Sequence, residues 1–365
     1  MIAGVVVVGD LLRPDGAGQP GGTDRPTLWL WNAIKRQANR ACGLPVEVLT
    51  TAGPIAAWIR SLRPPEQADP HWATNYAELP RSEPLERLLL QRLRGRFCIG
   101  YEIPPWLARL LDEAEVPYVD IRLHPIRFLD DLIFAVRASD ARTRATLLDA
   151  AVHESEILAT AGLREAMCRF VSEAALPDGT LLVAGQRRFD ATQIVAGEFF
   201  DALPRTSEIH AICNQYQAVV LKPHPLDPRH TLLEVAAGVP GRVIGVINDN
   251  VYRLMSLPQV TGILTVNSGV AYEAPYFGKR VHMLAPPTMR VGWRGDTATA
   301  GVHASIGDAV LTPDFWRLVL APHAAVTPAD GIRLPVKPNR LRIALDSFWN
   351  YQEIDTDRIP RPPGS

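Results

Sequence analysis

The sequence predicts an α/β fold of two Rossmann-like domains with a cleft between them, and three observations carry that expectation. Short Val/Ile/Leu runs bounded by Gly, Pro or Asp alternate with longer amphipathic stretches, the pattern of parallel strands buried between helices. The series occurs twice, separated by a long helical zone that ends in the turn Leu176-Pro177-Asp178-Gly179. A chain of 365 residues also exceeds what one hydrophobic core usually serves.

Taken in order, the first series places strands at Val5 to Val8, Val46 to Leu49, Phe97 to Gly100 and Pro117 to Ile121. Helical segments such as Thr27 to Gln37 and Pro84 to Arg94 separate them, and the Pro/Gly-rich stretch Arg13 to Pro26 reads as a loop. The opening Ile2 to Val8 run lacks a basic flank and is too short to span a bilayer, so it reads as the first buried strand. A long helical zone is expected from Ala141 to Ala175. The second series is Thr180 to Ala184, Ala218 to Lys222, Val243 to Val246, Gly262 to Val266 and Val281 to Leu284. The expected division is therefore 1–176, 177–335, and a last segment 336–365 in which a helix from Leu341 to Ile354 packs back on the first domain before a frayed proline-rich tail.

Composition narrows the function classes. The 38 basic and 39 acidic residues give a formal charge of −1 with no long run of either sign, which argues against a non-specific nucleic-acid or membrane-surface binder. Four cysteines lie far apart with no C-x-x-C pair, so neither a zinc knuckle nor a disulfide framework is indicated and a cytoplasmic setting is expected. There is no H-x-x-H or H-E-x-x-H spacing and no carboxylate pair placed to bridge Mg²⁺ to a diphosphate, so a metal-independent protein is expected.

Open α/β sheets bind ligands beyond the carboxyl ends of their strands, and this selects the motifs. Val219 to Leu221 runs into Lys222-Pro223-His224-Pro225, delivering a cation and an imidazole whose backbone is fixed by flanking prolines. Both could meet a phosphate, or His224 could be an ordinary turn histidine. Gly262 to Val266 runs into Asn267-Ser268-Gly269 and then a helix, a phosphate seat or a simple N-cap, with Glu273 one turn on able to hold a ribose or a base. Leu181 to Ala184 runs into Gly185-Gln186-Arg187-Arg188-Phe189-Asp190. There Asp190 could serve as nucleophile or base and Arg187 or Arg188 could attract an acidic sugar, or the segment could be a solvated loop with a surface ion pair. In the first series Glu102 and Asp120 stand at strand ends as candidate acid/base groups, although Asp120 with Arg122 or Arg127 could equally be a structural ion pair. Asp10, after the first strand, is a weaker candidate of the same kind.

Read together, Gly185-Gln186 with Asp190-Ala191-Thr192, Lys222-Pro223-His224-Pro225, Ser268-Gly269 with Glu273-Ala274 and Gly278-Lys279, and then Gly292-Trp293 resemble, in that order, the bacterial β-Kdo transferases of capsule and O-antigen synthesis. The resemblance covers Leu181 to Asp296; the first half shares only the Asp120 to Phe128 region in a less familiar arrangement. It implies a GT-B-like fold and retaining transfer from CMP-Kdo to a surface-polysaccharide acceptor. The second domain would take the donor and the first the acceptor. It further implies Asp190 as covalent nucleophile and Glu102, with Asp120 behind it, as the group that activates the acceptor. The nucleotide would lie on Gln186, Lys222, His224, Asn267, Ser268, Gly269 and Glu273, and Arg187, Arg188 or Lys222 would face the sugar carboxylate. Peripheral association with other polysaccharide-synthesis proteins at the inner membrane would follow. A CMP-sialic acid transferase, an inverting UDP-sugar transferase and a non-catalytic glycan-binding subunit are the competing readings, and fold alone does not choose among them.

Overall fold

The computed structural model describes residues 1–345 apart from 16, 20, 63–66, 79–82, 170–174, 330 and 332–338. Most of the expected helix 341–354 and all of the tail lie outside the described residues.

Five strands open the chain: β1 (Val5–Gly9), β2 (Val46–Leu49), β3 (Phe97–Tyr101), β4 (Tyr118–Leu123) and β5 (Phe134–Ala138). The second series supplies β6 (Thr180–Ala184), a short hairpin β7 (Ile194–Val195) and β8 (Glu198–Phe199), then β9 (Ala218–Lys222), β10 (Val243–Val246), β11 (Val260–Thr265) and β12 (Arg280–Met283). Two late strands follow, β13 (Arg290–Gly292) and β14 (Val302–Ile306). They form a seven-stranded sheet of order β13-β14-β5-β4-β3-β1-β2 and a five-stranded sheet of order β10-β9-β6-β11-β12. The second sheet is parallel throughout, and the first is parallel from β2 to β4.

Apolar runs on both faces explain why these strands are central. In β1, Val5 and Val7 enter one core cluster while Val6 and Val8 enter another, and in β6 Leu181 and Val183 divide from Leu182 and Ala184 in the same way. Alternate residues point to opposite faces, so a strand with helices on both sides must be apolar at every position. The result is two Rossmann-like α/β domains.

The strand orders also locate the sites. In the first sheet the order reverses between β1 and β3, and in the second between β6 and β11. At such switch points the connections leave in opposite directions and open a crevice beyond the carboxyl ends.

Two expectations are corrected. The zone 141–175 is broken: helices span Ala141–Asp149 and Glu154–Arg169. Between them the Val152 amide donates to the Ser305 carbonyl, so the chain there follows β14 instead of its own helix. The strand content of 177–335 does not stay in one sheet, because β14 pairs antiparallel with β5 and β13 pairs with β14. An uncovered β5 would leave a row of unpaired backbone groups, and β14 closes it while Ala304 and Ile306 join the first core. The antiparallel β5 itself was not foreseen.

The halves are also joined through the β4–β5 connection. Phe128, fully buried, sits among Tyr252, Tyr276 and Phe277 at ring distances of 6.2, 6.3 and 5.4 Å. Asp131 in the same connection accepts the Leu341 and Arg342 amides, capping the helix Arg340–Leu345, and Leu341 is buried in the first core.

Candidate active site at the two switch points

Beyond β1, the Asp10 carboxylate accepts the Leu12 amide at 3.0 Å and the Trp72 indole N–H at 2.7 Å. These bonds turn the chain so that Arg13 lies over the Trp72 ring, its guanidinium carbon 5.2 Å from the centroid. Gly22 closes the loop by donating to the Arg13 carbonyl, and a Cβ at Gly22 would stand 2.1 Å from the Pro14 carbonyl oxygen, so only glycine fits. Asp10 itself is buried, and burial raises its pKa above the ordinary carboxyl value.

Beyond β3, Glu102 is held at φ +50°, an unusual backbone for a residue with a side chain. Its neighbours impose it. The Glu102 amide donates to the Ile121 carbonyl, the Ile103 amide donates to Asp120 at 3.0 Å, and Arg122 donates to the Ile103 carbonyl at 2.7 Å. Asp120 is fully buried and takes Arg122 at 2.8 Å and Arg137 at 3.2 Å on its other oxygen. Burial pushes its pKa up, but the two guanidiniums outweigh that and hold it below the ordinary value. Asp120 is therefore a brace under the Glu102 turn, which corrects its expected place as an acid/base group: it is sealed from any substrate.

Beyond β6 and β11, neutral amides carry the structure. Gln186, buried, accepts the Thr265 hydroxyl at 3.1 Å and the Asn267 amide at 2.9 Å, and donates to the Asn267 side chain at 3.3 Å. Asn267 donates to the Thr192 carbonyl at 2.6 Å. That bond fixes a one-turn 3₁₀ helix, Ala191–Gln193, which Asp190 caps by accepting the Thr192 amide and hydroxyl at 3.1 and 3.0 Å. Gln186 and Asn267, expected to bind nucleotide, instead use their polar groups on each other and on the Asp190 turn.

The two crevices face each other, because Arg13 reaches Asp190 at 3.2 Å while its other terminal nitrogen is 3.8 Å from Glu102. The Asp190 and Glu102 side chains each keep 30 % of their surface exposed, as a substrate group would require. Their electrostatics diverge. For Asp190, burial raises the pKa, but Arg13, the Thr192 donors and Arg187 outweigh it and the net shift is downward. For Glu102, burial dominates and the shift is upward despite Arg13, with Asp190 adding to it. Two carboxyls pushed apart in this way suit one as a standing anion and the other as a proton carrier.

The remaining expected residues divide. His224 is half-buried, and its Nδ1 accepts the Leu226 amide at 3.1 Å. Burial and then Arg187 depress its pKa, so the ring is neutral with its proton on Nε2, a donor available to a ligand. Gly185 lets this loop approach, since a Cβ there would lie 3.2 Å from Leu233 and 3.3 Å from the His224 nitrogen. Lys222 ends β9 beside it and adds positive charge. Arg187 is exposed and close enough to lower both Asp190 and His224.

Arg188 departs from expectation, because its guanidinium and amide are engaged with Asp227 at 2.9 to 3.2 Å. Ser268 is half-buried and caps weakly, accepting the Val270 amide at 3.4 Å. The helix it opens is only Val270–Glu273, and a Cβ on Gly269 would lie 3.2 Å from the Pro125 carbonyl oxygen. A 3₁₀ turn, Ala274–Phe277, continues it, and Gly269 packs against Pro125. Glu273 is buried and accepts the Arg127 amide at 2.7 Å and the Tyr252 hydroxyl at 3.0 Å, so it joins the two halves rather than reaching a ribose.

Arg13 and Trp72 were not foreseen. Arg13 lies three residues beyond Asp10, at the start of a Pro/Gly-rich stretch whose composition signals only a loop.

Among the described residues no three His, Cys, Asp or Glu side chains are grouped to hold a metal ion, and no helix is long and apolar enough to cross a membrane. No family model matches the chain, and no curated protein matches it. Among solved structures it is similar to a β-Kdo 2,7 transferase, KpsC, of Thermosulfurimonas dismutans, with 18 % identity, coverage of 55 % of this chain and 69 % of that one, and a TM-score of 0.33. It is also similar to the UDP-GlcNAc 2-epimerase of Neisseria meningitidis bound to UDP-GlcNAc, at 14 % identity, 86 % and 93 % coverage and TM-score 0.30. A third is S. aureus MnaA with UDP, at 12 % identity, 87 % and 91 % coverage and TM-score 0.27. The fold assignment rests on the strand orders described above.

Proposed function

We propose that this chain is a retaining glycosyltransferase that moves Kdo from CMP-Kdo to a bacterial surface-polysaccharide hydroxyl. The observation that carries the proposal is the pairing of Asp190 with Glu102 through Arg13, one acid from each half, with opposite pKa shifts. The ordered sequence resemblance from Gly185 to Trp293 supports the donor class.

The chemistry divides into two displacements. In the first, the Asp190 carboxylate attacks the anomeric carbon, forming the C–O bond of a glycosyl ester as the bond to the CMP phosphate oxygen breaks and CMP leaves with the electron pair. CMP is a stable anion at neutral pH, so no acid is needed for its departure, and the His224 Nε2–H and Lys222 supply a donor and a charge for its phosphate. In the second, Glu102 takes the proton of the acceptor hydroxyl as its oxygen attacks the same carbon, and Asp190 leaves as carboxylate. A raised pKa makes Glu102 the stronger base of the two. Arg187, exposed and beside Asp190, is the cation for the sugar's own carboxylate.

Calorimetric titration of the metal-free protein with CMP, with UDP as control, tests the donor class. Selective CMP binding followed by CMP release from CMP-Kdo in the presence of acceptor is the expected result. Preference for UDP would discard the Kdo reading, and binding of neither would favour a non-catalytic glycan-binding subunit.

A further inference from the structure

The geometry points to Arg13 as a positioning residue for this site: a guanidinium seated on Trp72 and Asp10 in the first domain that holds the Asp190 carboxylate of the second domain in line with Glu102. The inference rests on Asp190 being the nucleophile, and it assigns a role to Arg13 and Trp72, two residues outside the sequence motifs.

Three features of the arrangement support it. Arg13 is the described contact that links a group of each switch point, with Asp190 at 3.2 Å and Glu102 at 3.8 Å. Its seat is rigid, since Trp72 is only 1 % exposed and its indole N–H is fixed by Asp10 at 2.7 Å. A planar guanidinium can lie on an aromatic ring and still direct two separate nitrogens at two carboxylates, whereas an ammonium presents all its donors from one nitrogen. The bond to Asp190 also uses the oxygen that Thr192 does not, so the two contacts fix both ends of the carboxylate.

The seat extends across the domain boundary. Phe199, on β8 of the second domain, lies 5.9 Å from the Trp72 ring, and Phe189, the residue before Asp190, lies 5.2 Å from Phe199. The ring that carries Arg13 thus reaches the residue before Asp190 through Phe199. A change in how the two domains meet would move the cation and the carboxylate relative to each other.

The charged and titratable groups facing Asp190 are Arg13, Glu102 and Tyr101 from the first domain and Arg187 and His224 from the second. Of these, Arg13 makes the hydrogen bond and is the larger of the two cationic influences. Its removal leaves burial acting on Asp190 with only Thr192 and Arg187 opposed, so the carboxylate becomes harder to ionise.

The test follows the Asp190 carboxyl carbon by NMR in protein labelled with ¹³C at aspartate side chains, the resonance being assigned by its loss in Asp190→Asn. In Arg13→Gln the Asp190 titration midpoint is expected to rise by about one unit or more. Arg13→Lys is expected to restore most of that shift while kcat for transfer stays about tenfold or more below wild type, since one ammonium nitrogen cannot occupy the two positions that the guanidinium nitrogens hold. An Asp190 midpoint unmoved in Arg13→Gln overturns the inference. Should Arg13→Gln fail to fold, Arg13→Met, which keeps a long side chain over the Trp72 ring and loses the charge, is read by the same criterion. The titration needs no substrate, so a shifted midpoint in a protein that does not use CMP-Kdo would overturn the donor reading and leave Arg13 as the group that sets the state of Asp190.

Discussion

The two switch points end in opposite chemistry. The first is a network of charges, with Asp10, Arg13, Glu102, Asp120, Arg122 and Arg137 set against one another. At the second the bracing groups are neutral, with Gln186, Asn267, Thr265 and Thr192 fixing a turn through amides and hydroxyls. Neutral braces fix the position of Asp190, and Arg13, the largest influence holding it as an anion, comes from across the boundary, with the Thr192 bonds and Arg187 of its own domain adding to it. The division teaches that an acid placed by one domain takes its largest counter-charge from the other, so the site is completed where the domains meet.

The largest effect that would sharpen this contrast is loss of the anion itself. Asp190→Ala is expected to lower CMP release from CMP-Kdo in the presence of acceptor by about 1000-fold or more, with the fold intact and stability lower by about 1 kcal/mol for the lost cap on Thr192. A variant that keeps wild-type turnover would remove Asp190 from the chemistry. Glu102→Gln separates the two steps: the first displacement needs no base, so a glycosyl ester on Asp190 is expected to accumulate, seen as a mass increase of the intact protein. Steady turnover should fall about 100-fold. Equal loss of both steps would contradict the proposed division of labour.

The neutral side predicts something smaller and of a different kind. Asn267→Ala leaves the Thr192 carbonyl and the Gln186 amide without their partner, which is expected to cost about 1–3 kcal/mol of stability, read from denaturant unfolding. Turnover should fall only about tenfold, because Thr192 and Arg13 still hold the carboxylate. A loss as large as that of Asp190→Ala, at unchanged stability, would mean that Asn267 touches substrate after all.

The comparison also explains what could be read from the sequence. Strands buried on both faces leave uninterrupted apolar runs, so β1, β3, β6, β9 and β11 were legible, and the loops after β6 and β9 carried their own motifs. β5 and β14 were not legible, because their antiparallel pairing is a property of two segments more than 150 residues apart and neither run announces the other. Within the site, Asp190, Glu102 and His224 could be nominated from position. The inward turn of Gln186, Asn267 and Glu273 could not, since an amide or carboxylate that faces a ligand has the same letter as one that faces the protein. Arg13 needed the fold, because its partners come from two other loops.

Glu273 provides the smallest effect and a different break in the contrast, since it is an acid of the second domain whose contact with the first is buried. Burial pushes its carboxyl up to about 7 from an ordinary 4.5, against the Arg127 amide, the Tyr252 hydroxyl and the Arg127 and Arg342 charges. Because the folded pKa lies above the unfolded one, the folded state binds more protons between those values. The contribution of Glu273 is therefore fully present below about 4.5, declines as pH rises through the window, and levels off above about 7. Glu273→Gln keeps a side-chain oxygen for both the Arg127 amide and the Tyr252 hydroxyl but does not titrate. Melting temperature should therefore fall less from about pH 5 to about pH 8 in Glu273→Gln than in wild type, while CMP affinity is unchanged. Parallel profiles for the two proteins would show that the carboxyl is ionised throughout, and weakened CMP binding in the variant would return Glu273 to the ligand site.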